Sequence, residues 1–162
     1  MPQDHISVRS MTPDDIPAIA TWMIGDSHWT SYGMTVDSIS IDFAQAFAAE
    51  DLLLVATANE RPLGFAWCVD RGMFGSAPYL KRIGVDPAIT GRAIGTMLMI
   101  DLESRLAAAG AQHLYLLVGD QNPRAEAFYQ RRGFAKIAEF PDLAVKGIAE
   151  RLYRKELPAL SY

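Results

Sequence analysis

The chain has 162 residues, half of them hydrophobic and 21% charged, with a formal net charge of −4 at pH 7. That size suits one domain, residues 1–162, around one core, and the acidic balance argues against a nucleic-acid binder, which is usually basic. The single cysteine, Cys68, excludes an internal disulfide, and its setting in "LGFAWCV" reads as a buried thiol acting as a small hydrophobe. The opening "MPQDHISVRSM" lacks the basic and apolar regions of a signal peptide. No apolar run approaches the ~20 residues of a membrane span. A cytoplasmic protein with no membrane partner is therefore expected. His5, His28 and His113 are scattered, no cluster has metal-ligand spacing, and no metal is expected. Neither a G-x-S-x-G elbow nor a P-loop is present.

The first element is a strand, "ISVRSMT", which alternates apolar and polar residues. A helix follows, with Thr12 as N-cap, Pro13 at its first position, and Asp14 and Asp15 facing the positive helix end. Ile16, Ile19, Ala20 and Met23 share one face, and the helix stops near Gly25. "DSHWTSYGMT" reads as a polar, aromatic loop. "VDSISIDFAQAFAAED" reads as a second helix with Ile39, Phe43, Ala46 and Phe47 as its stripe, although "SISI" also alternates like a strand. "LLLVATA" is apolar on both faces, as in the middle of a sheet. "NERP" is a turn, and "LGFAWCVDRG" is the antiparallel return. "PYLKRIGVD" is a fourth strand, ended by Pro87.

A long helix is expected from Gly91 to Ala109, with Ile94, Leu98, Leu102 and Leu106 at helical spacing and Gly110 as its stop. "HLYLLVG" reads as a strand apolar on both faces. "NPRAEAFYQRRG" is a short helix with Asn122 as N-cap, Pro123 at its first position, Arg131 and Arg132 at its negative end, and Gly133 closing it. "FAKIAEF" and "IAERLYRKEL" are the last strands. The order is β-α-α-β-β-β-α-β-α-β-β, an α/β fold of the α+β type with a mixed, mostly antiparallel sheet and helices on both faces. The fourth strand, long helix and fifth strand form a right-handed crossover.

Two stretches carry chemistry. After the fourth strand, small residues Gly91, Ala93 and Gly95 stand at the start of a helix, where the first four backbone N–H groups have no internal partner. Bare donors with the helix dipole can hold a diphosphate without a metal, and Arg92 adds a formal charge. The alternative is a glycine-rich turn packed close to a neighbouring strand. The second stretch is "DQNPRAEAFYQRRGF", in which Asn122 and Tyr129 lie two helical turns apart on one face; a Tyr there is also commonly a half-buried aromatic with its hydroxyl at the rim.

Taken together, "V-D-P-x-x-T-G-R-A-I-G-x-x-L" (Val85 to Leu98) and "N-P-R-A-x-x-F-Y-x-x-R-G-F" (Asn122 to Phe134) resemble the GNAT superfamily of acyl-CoA-dependent N-acetyltransferases. The element order matches that fold from Ile6 to Leu157. The resemblance implies a sheet of about seven strands and acetyl-CoA as co-substrate. Its acetyl group would pass directly, in a ternary complex, to a primary amine of a small molecule or peptide. The alternative is a non-catalytic acyl-CoA-binding or regulatory module on the same fold. It further implies that Ile83 and Val85 pair with the pantetheine arm, and that Thr90, Gly91, Arg92, Ala93, Ile94, Gly95 and Thr96 form the pyrophosphate loop. Asn122 and Phe128 would contact the cofactor, and Tyr129 would both contact it and protonate the departing thiolate. Thr90 stands where the family carries Arg or Gln, and Ala93 where it carries its second glycine. Pairing as a homodimer is a family expectation.

Transfer to an amine needs the neutral amine. Neutralising an alkylamine at pH 7 costs about 3.4 pKa units, roughly 4.6 kcal/mol, so a base or a desolvated pocket must help. The "YLKRIG" stretch of the fourth strand carries no acid; His28, Asp70 or a chain of waters are the candidates, and the Ile83 N–H is the candidate oxyanion donor. Trp29 and Tyr32, beside His28, are expected to shape an amine pocket, since aromatic faces attract cations.

Overall fold

The computed structural model describes residues 4–89 and 91–159. Strand β1 (Ser7–Ser10) leads into a 3-10 turn, Pro13–Asp15, and then into α1 (Ile16–Met23). Asp15 does not simply face the helix end as expected. It folds back to accept the Thr12 N–H at 2.8 Å, and Arg9 holds both its oxygens at 2.8 Å. A planar guanidinium matches a carboxylate in this two-pronged way, which is stronger than an axial dipole contact.

The expected aromatic loop contains a short helix, α2 (Ser27–Ser31). Asp26 starts it by accepting the His28 N–H at 2.9 Å, and Gly33, at φ 75°, closes it. Helix α3 (Val36–Ala48) resolves the ambiguous "SISI" as helix. The Thr35 hydroxyl accepts the Ser38 N–H at 3.1 Å, and the Ser38 hydroxyl accepts the Thr35 N–H at 2.9 Å. This reciprocal cap satisfies two donors that a helix start leaves open. Ile39, Phe43 and Ala46 are buried, and α3 packs on α1.

Strands β2 (Leu52–Ala58) and β3 (Arg61–Met73) join through Asn59 and Glu60, both in the left-handed region as a tight hairpin turn requires. There follow β4 (Ala77–Val85), α4 (Ile94–Ala108), β5 (His113–Gly119), α5 (Pro123–Arg131), β6 (Ala135–Pro141) and β7 (Ala149–Glu156). The seven strands are ordered β1-β2-β3-β4-β5-β7-β6. The pairs β1–β2, β2–β3, β5–β7 and β6–β7 are antiparallel, and β4–β5 is parallel. The mixed, mostly antiparallel sheet is thus as expected. Two local expectations are corrected. Helix α4 begins at Ile94 rather than Gly91, because Gly91 and Ala93 adopt left-handed φ angles of 69° and 54° that no helix can contain. Strand β5 alternates, with Leu114, Leu116 and Val118 buried and the residues between them half-buried.

The chain packs as two compact units. The first runs through Cys68 and includes Arg82–Leu102; the second comprises Val69–Lys81 and the chain from Glu103 on. Ile19, Met23, Phe43, Leu54, Phe65 and Leu98 are fully buried in the first, and Leu114, Leu116 and Tyr153 in the second. Cys68 is buried, as its surroundings imply.

In the first unit, Gly84 of β4 lies against an aromatic wall. A Cβ there would stand 2.8 Å from Phe65, 3.1 Å from Trp29 and 3.3 Å from Trp22. Gly84→Ala should cost about 1–3 kcal/mol through overpacking, a fall of several degrees in the thermal midpoint for a chain of this size. An unchanged midpoint in a calorimetric scan would show that the wall yields freely.

Candidate functional site

At the end of β4 the chain is turned by Asp86, which sequence reasoning missed. Its side chain is buried. One oxygen accepts the Ala88 N–H at 2.9 Å and the other takes Arg61 at 2.9 Å, while its own N–H donates to the Leu63 carbonyl at 2.8 Å. These bonds anchor the exit of β4 to the start of β3. Gly91, Arg92 and Ala93 follow, all exposed. Thr90 lies outside the described residues.

Close packing is not what Gly91 provides. A Cβ on Gly91 would meet nothing within 4 Å; its glycine is demanded by φ, and the space beside it is open. The close approach belongs to Gly64 of β3, where a Cβ would stand 2.8 Å from the Ile94 side chain and 3.2 Å from that of Leu98. Ile94 is buried and seats the start of α4 on β3.

The first α4 bond runs from the Met97 N–H to the Ala93 carbonyl, at 3.0 Å. The N–H groups of Ile94, Gly95 and Thr96 therefore precede the helical ladder. Ala93, at the cap position, has no side-chain acceptor to offer them. Gly91 and Ala93, on either side of Arg92, are both left-handed, a backbone pattern that can turn successive N–H groups toward one side and toward an anion. Arg92 adds a charge, with its guanidinium held at 3.1 Å by the Asp4 carbonyl. These residues fit a diphosphate, which would meet backbone donors and one arginine. Ile83 and Val85, on the preceding strand, are half-buried.

Helix α2 brings three expected pocket residues together. The His28 ring stands edge-on to Trp29 at 4.7 Å and to Tyr32 at 5.4 Å between centroids. Burial pushes the imidazole below its ordinary pKa, with Asp26 opposing in part. His28 is therefore neutral at pH 7 and able to accept a proton. Trp29 is a core residue, packed on Phe65 at 6.2 Å and on Gly84, whereas Tyr32 is half-buried. Arg82 on β4 also escaped sequence reading. It pairs with Asp42 of α3 at 2.8 Å and lies 5.1 Å over the Trp67 ring, and Trp67 donates to Asp51 at 2.8 Å.

In the second unit, β5 pairs with β7 along its whole length, from His113↔Glu156 to Gly119↔Glu150, but its rungs with β4 are Tyr79↔Tyr115 and Leu80↔Leu116. Helix α5 starts where expected. The Asn122 side-chain oxygen accepts the Ala125 N–H at 3.2 Å. Asn122 and Phe128 are half-buried. Tyr129 is 6% exposed, well below the half-buried rim position common for Tyr, with the Phe128 and Phe134 rings edge-on at 5.2 and 5.6 Å. Burial pushes its phenol far above the ordinary value, so it keeps its proton throughout the working range. Asp70 is exposed at the surface of this unit. Among the described residues, no group of three or more His, Cys, Asp or Glu could hold a metal ion, and no helix is long and apolar enough to cross a membrane.

This is an α/β framework in which a left-handed turn leads from the fourth strand into a helix that begins at Ile94. The chain matches the acetyltransferase (GNAT) family over residues 18–134 and belongs to that family. It is 27% identical over 143 residues to the mycothiol acetyltransferase of Amycolatopsis mediterranei (strain U-32), across 83% of this chain and 48% of that protein. The chain thus spans about half or less of the length of the first curated relatives it matches. Its fold is similar to that of YncA from Salmonella typhimurium, solved with its cofactor acetyl-CoA. That likeness has a TM-score of 0.72 and 18% identity over 97% of this chain and 96% of that one. The PaiA N-acetyltransferase of Thermoplasma acidophilum, in complex with coenzyme A, gives a TM-score of 0.75 and 20% identity over 94% and 99%.

Because burial disfavours the charged imidazole, an NMR titration of the His28 ring should give a midpoint below 6.5. A midpoint at or above that value would place the ring in water or beside an unopposed carboxylate.

Proposed function

We propose that this chain is an acetyl-CoA-dependent N-acetyltransferase that moves an acetyl group directly to a primary amine of a small molecule or peptide. The observation that carries this reading is the bare start of α4. Gly91 and Ala93 turn left-handed, three N–H groups precede the helical ladder, and the flanking side chains are small or cationic. A diphosphate satisfies such a tip, since helix N-termini favour anions.

Acetyl-CoA supplies an activated thioester, and the residues of this chain do the rest. The Gly91–Thr96 segment holds the diphosphate by backbone donors, and Arg92 offsets its charge. Ile83 and Val85 offer main-chain groups to the pantetheine arm, and the Ile83 N–H faces charge developing on the acyl oxygen. Asn122 contributes its amide nitrogen and Phe128 an apolar contact. The amine nitrogen forms its bond to the acyl carbon as the carbon–sulfur bond breaks. The proton lost by the amine passes to His28 or to water, and the sulfur takes its proton from the Tyr129 hydroxyl. Tyr129 carries its proton at neutral pH, since burial raises its phenol above the ordinary value, and it must regain a proton after each turnover. His28 is the better candidate base, since it is neutral at pH 7 and partly shielded, whereas Asp70 is a solvated surface carboxylate.

Thiol release from acetyl-CoA should depend on an added amine across a panel of primary amines. Tyr129→Phe should lower kcat about 10²-fold, the usual scale of a general acid, with the KM for acetyl-CoA nearly unchanged. Binding of acetyl-CoA with no amine-dependent thiol release would contradict the enzymatic reading, and an unchanged kcat would remove Tyr129 from the acid role.

A further inference from the structure

Helix α5 carries Tyr129 and Asn122, yet it has little apolar surface to hold it. Tyr129 is its one fully buried residue, and nine residues are too few for a helix to be stable alone. What fixes it is a row of polar contacts from one strand. Arg151, Tyr153 and Lys155 alternate along β7 and so share one face. Arg151 Nη1 bonds Glu126 at 2.7 Å. The Tyr153 hydroxyl donates to the other Glu126 oxygen and accepts from Gln130, one helical turn further on, at 3.4 Å. Lys155 runs beside Gly133 at the helix end, lies over the Phe134 ring at 5.9 Å, and shares Glu103 with Arg132, each at 2.8 Å. The row is itself braced, since Arg151 also bonds Glu139 on the paired strand β6 at 2.9 Å. The Tyr153 hydroxyl is the hub: it is buried within a residue 1% exposed, and it engages residues at both i−3 and i+1 of Tyr129.

We infer that Tyr153 and Glu126 are positioning residues for Tyr129: their part-buried hydroxyl–carboxylate contact sets the rotation and height of α5, and through it the place of the Tyr129 hydroxyl. The inference rests on the reading of Tyr129 as the proton donor. A donor must stand within hydrogen-bond reach of the departing sulfur, and small displacements of a reacting group are costly. A helix held by directional polar contacts keeps its rotation better than one held by a greasy face, because hydrogen bonds are lost over fractions of an ångström. The Tyr153 hydrogen bond, aided by Arg151, holds the Glu126 carboxylate below its ordinary pKa, so the contact persists across neutral pH.

The test is a double-mutant cycle. Tyr153→Phe removes one oxygen and keeps the ring. It should lower kcat about tenfold while the KM for acetyl-CoA stays within about twofold. In a Tyr129→Phe background the same change should cost less than about twofold, because Tyr153 acts through the group already removed. In the free protein, hydrogen exchange at the α5 amides should speed about tenfold, with the β5–β7 amides unchanged. Should Tyr153→Phe fold poorly, Glu126→Gln serves the cycle. It keeps an acceptor for Tyr153 and should fall between wild type and Glu126→Ala. A full multiplicative loss in the Tyr129→Phe background, an unchanged kcat, or unaltered α5 exchange would each overturn the inference. If Tyr129→Phe alone leaves kcat untouched, the donor assignment itself is what fails.

Discussion

The function proposed for this chain depends on what a helix cannot do for itself. The opening N–H groups of α4 lack carbonyl partners within the helix, and the sequence withholds the usual remedy, placing Ala93 where a Ser, Thr, Asp or Asn would cap them. Leaving such donors without a side-chain cap from the preceding residue forgoes about 1 kcal/mol of capping stability. The compensation proposed above is an anion cradle formed by those donors. The surrounding structure keeps that cradle in shape: Asp86 fixes the turn out of β4, and Ile94 and Leu98 seat the helix on the small surface of Gly64.

The two units solve the problem of rigidity differently. In the first, large apolar and aromatic groups interlock, with Trp22, Trp29 and Phe65 against Gly84 and Phe43 edge-on to Phe65. Dense packing of that kind fixes backbone positions, as the open left-handed turn at Gly91 requires. In the second, α5 is polar and short, and ion pairs and hydrogen bonds from β7 replace the apolar seat. Family membership rests on sequence over residues 18–134; the chemistry proposed for the chain rests on these two local arrangements.

Much of this was legible in the sequence where the signals are local. The Asn122-Pro123 start of α5, the strands rich in branched residues, and the small-residue helix opening each lie within a few residues of the feature they specify. Three kinds of feature were not legible. A short helix such as α2 shows no apolar period, because one turn is too short to show one, and only Asp26 betrays it. A left-handed alanine cannot be read from its side chain, so Ala93 was assigned to the helix rather than to the turn before it. Finally, the pairs Asp86–Arg61, Arg82–Asp42 and Glu126–Tyr153 join residues at least 25 positions apart, and no spacing rule reaches that far. The motif around Asp86 was visible, but its buried partners were not.

The most direct measurement is an amide-resolved NMR titration of the tip of α4 with CoA and, separately, with pantetheine, which has no diphosphate. The account predicts that CoA shifts the N–H resonances of Ile94, Gly95 and Thr96 and that pantetheine leaves them in place. If CoA saturates the protein while those three resonances do not move, the diphosphate is held elsewhere and the account is wrong.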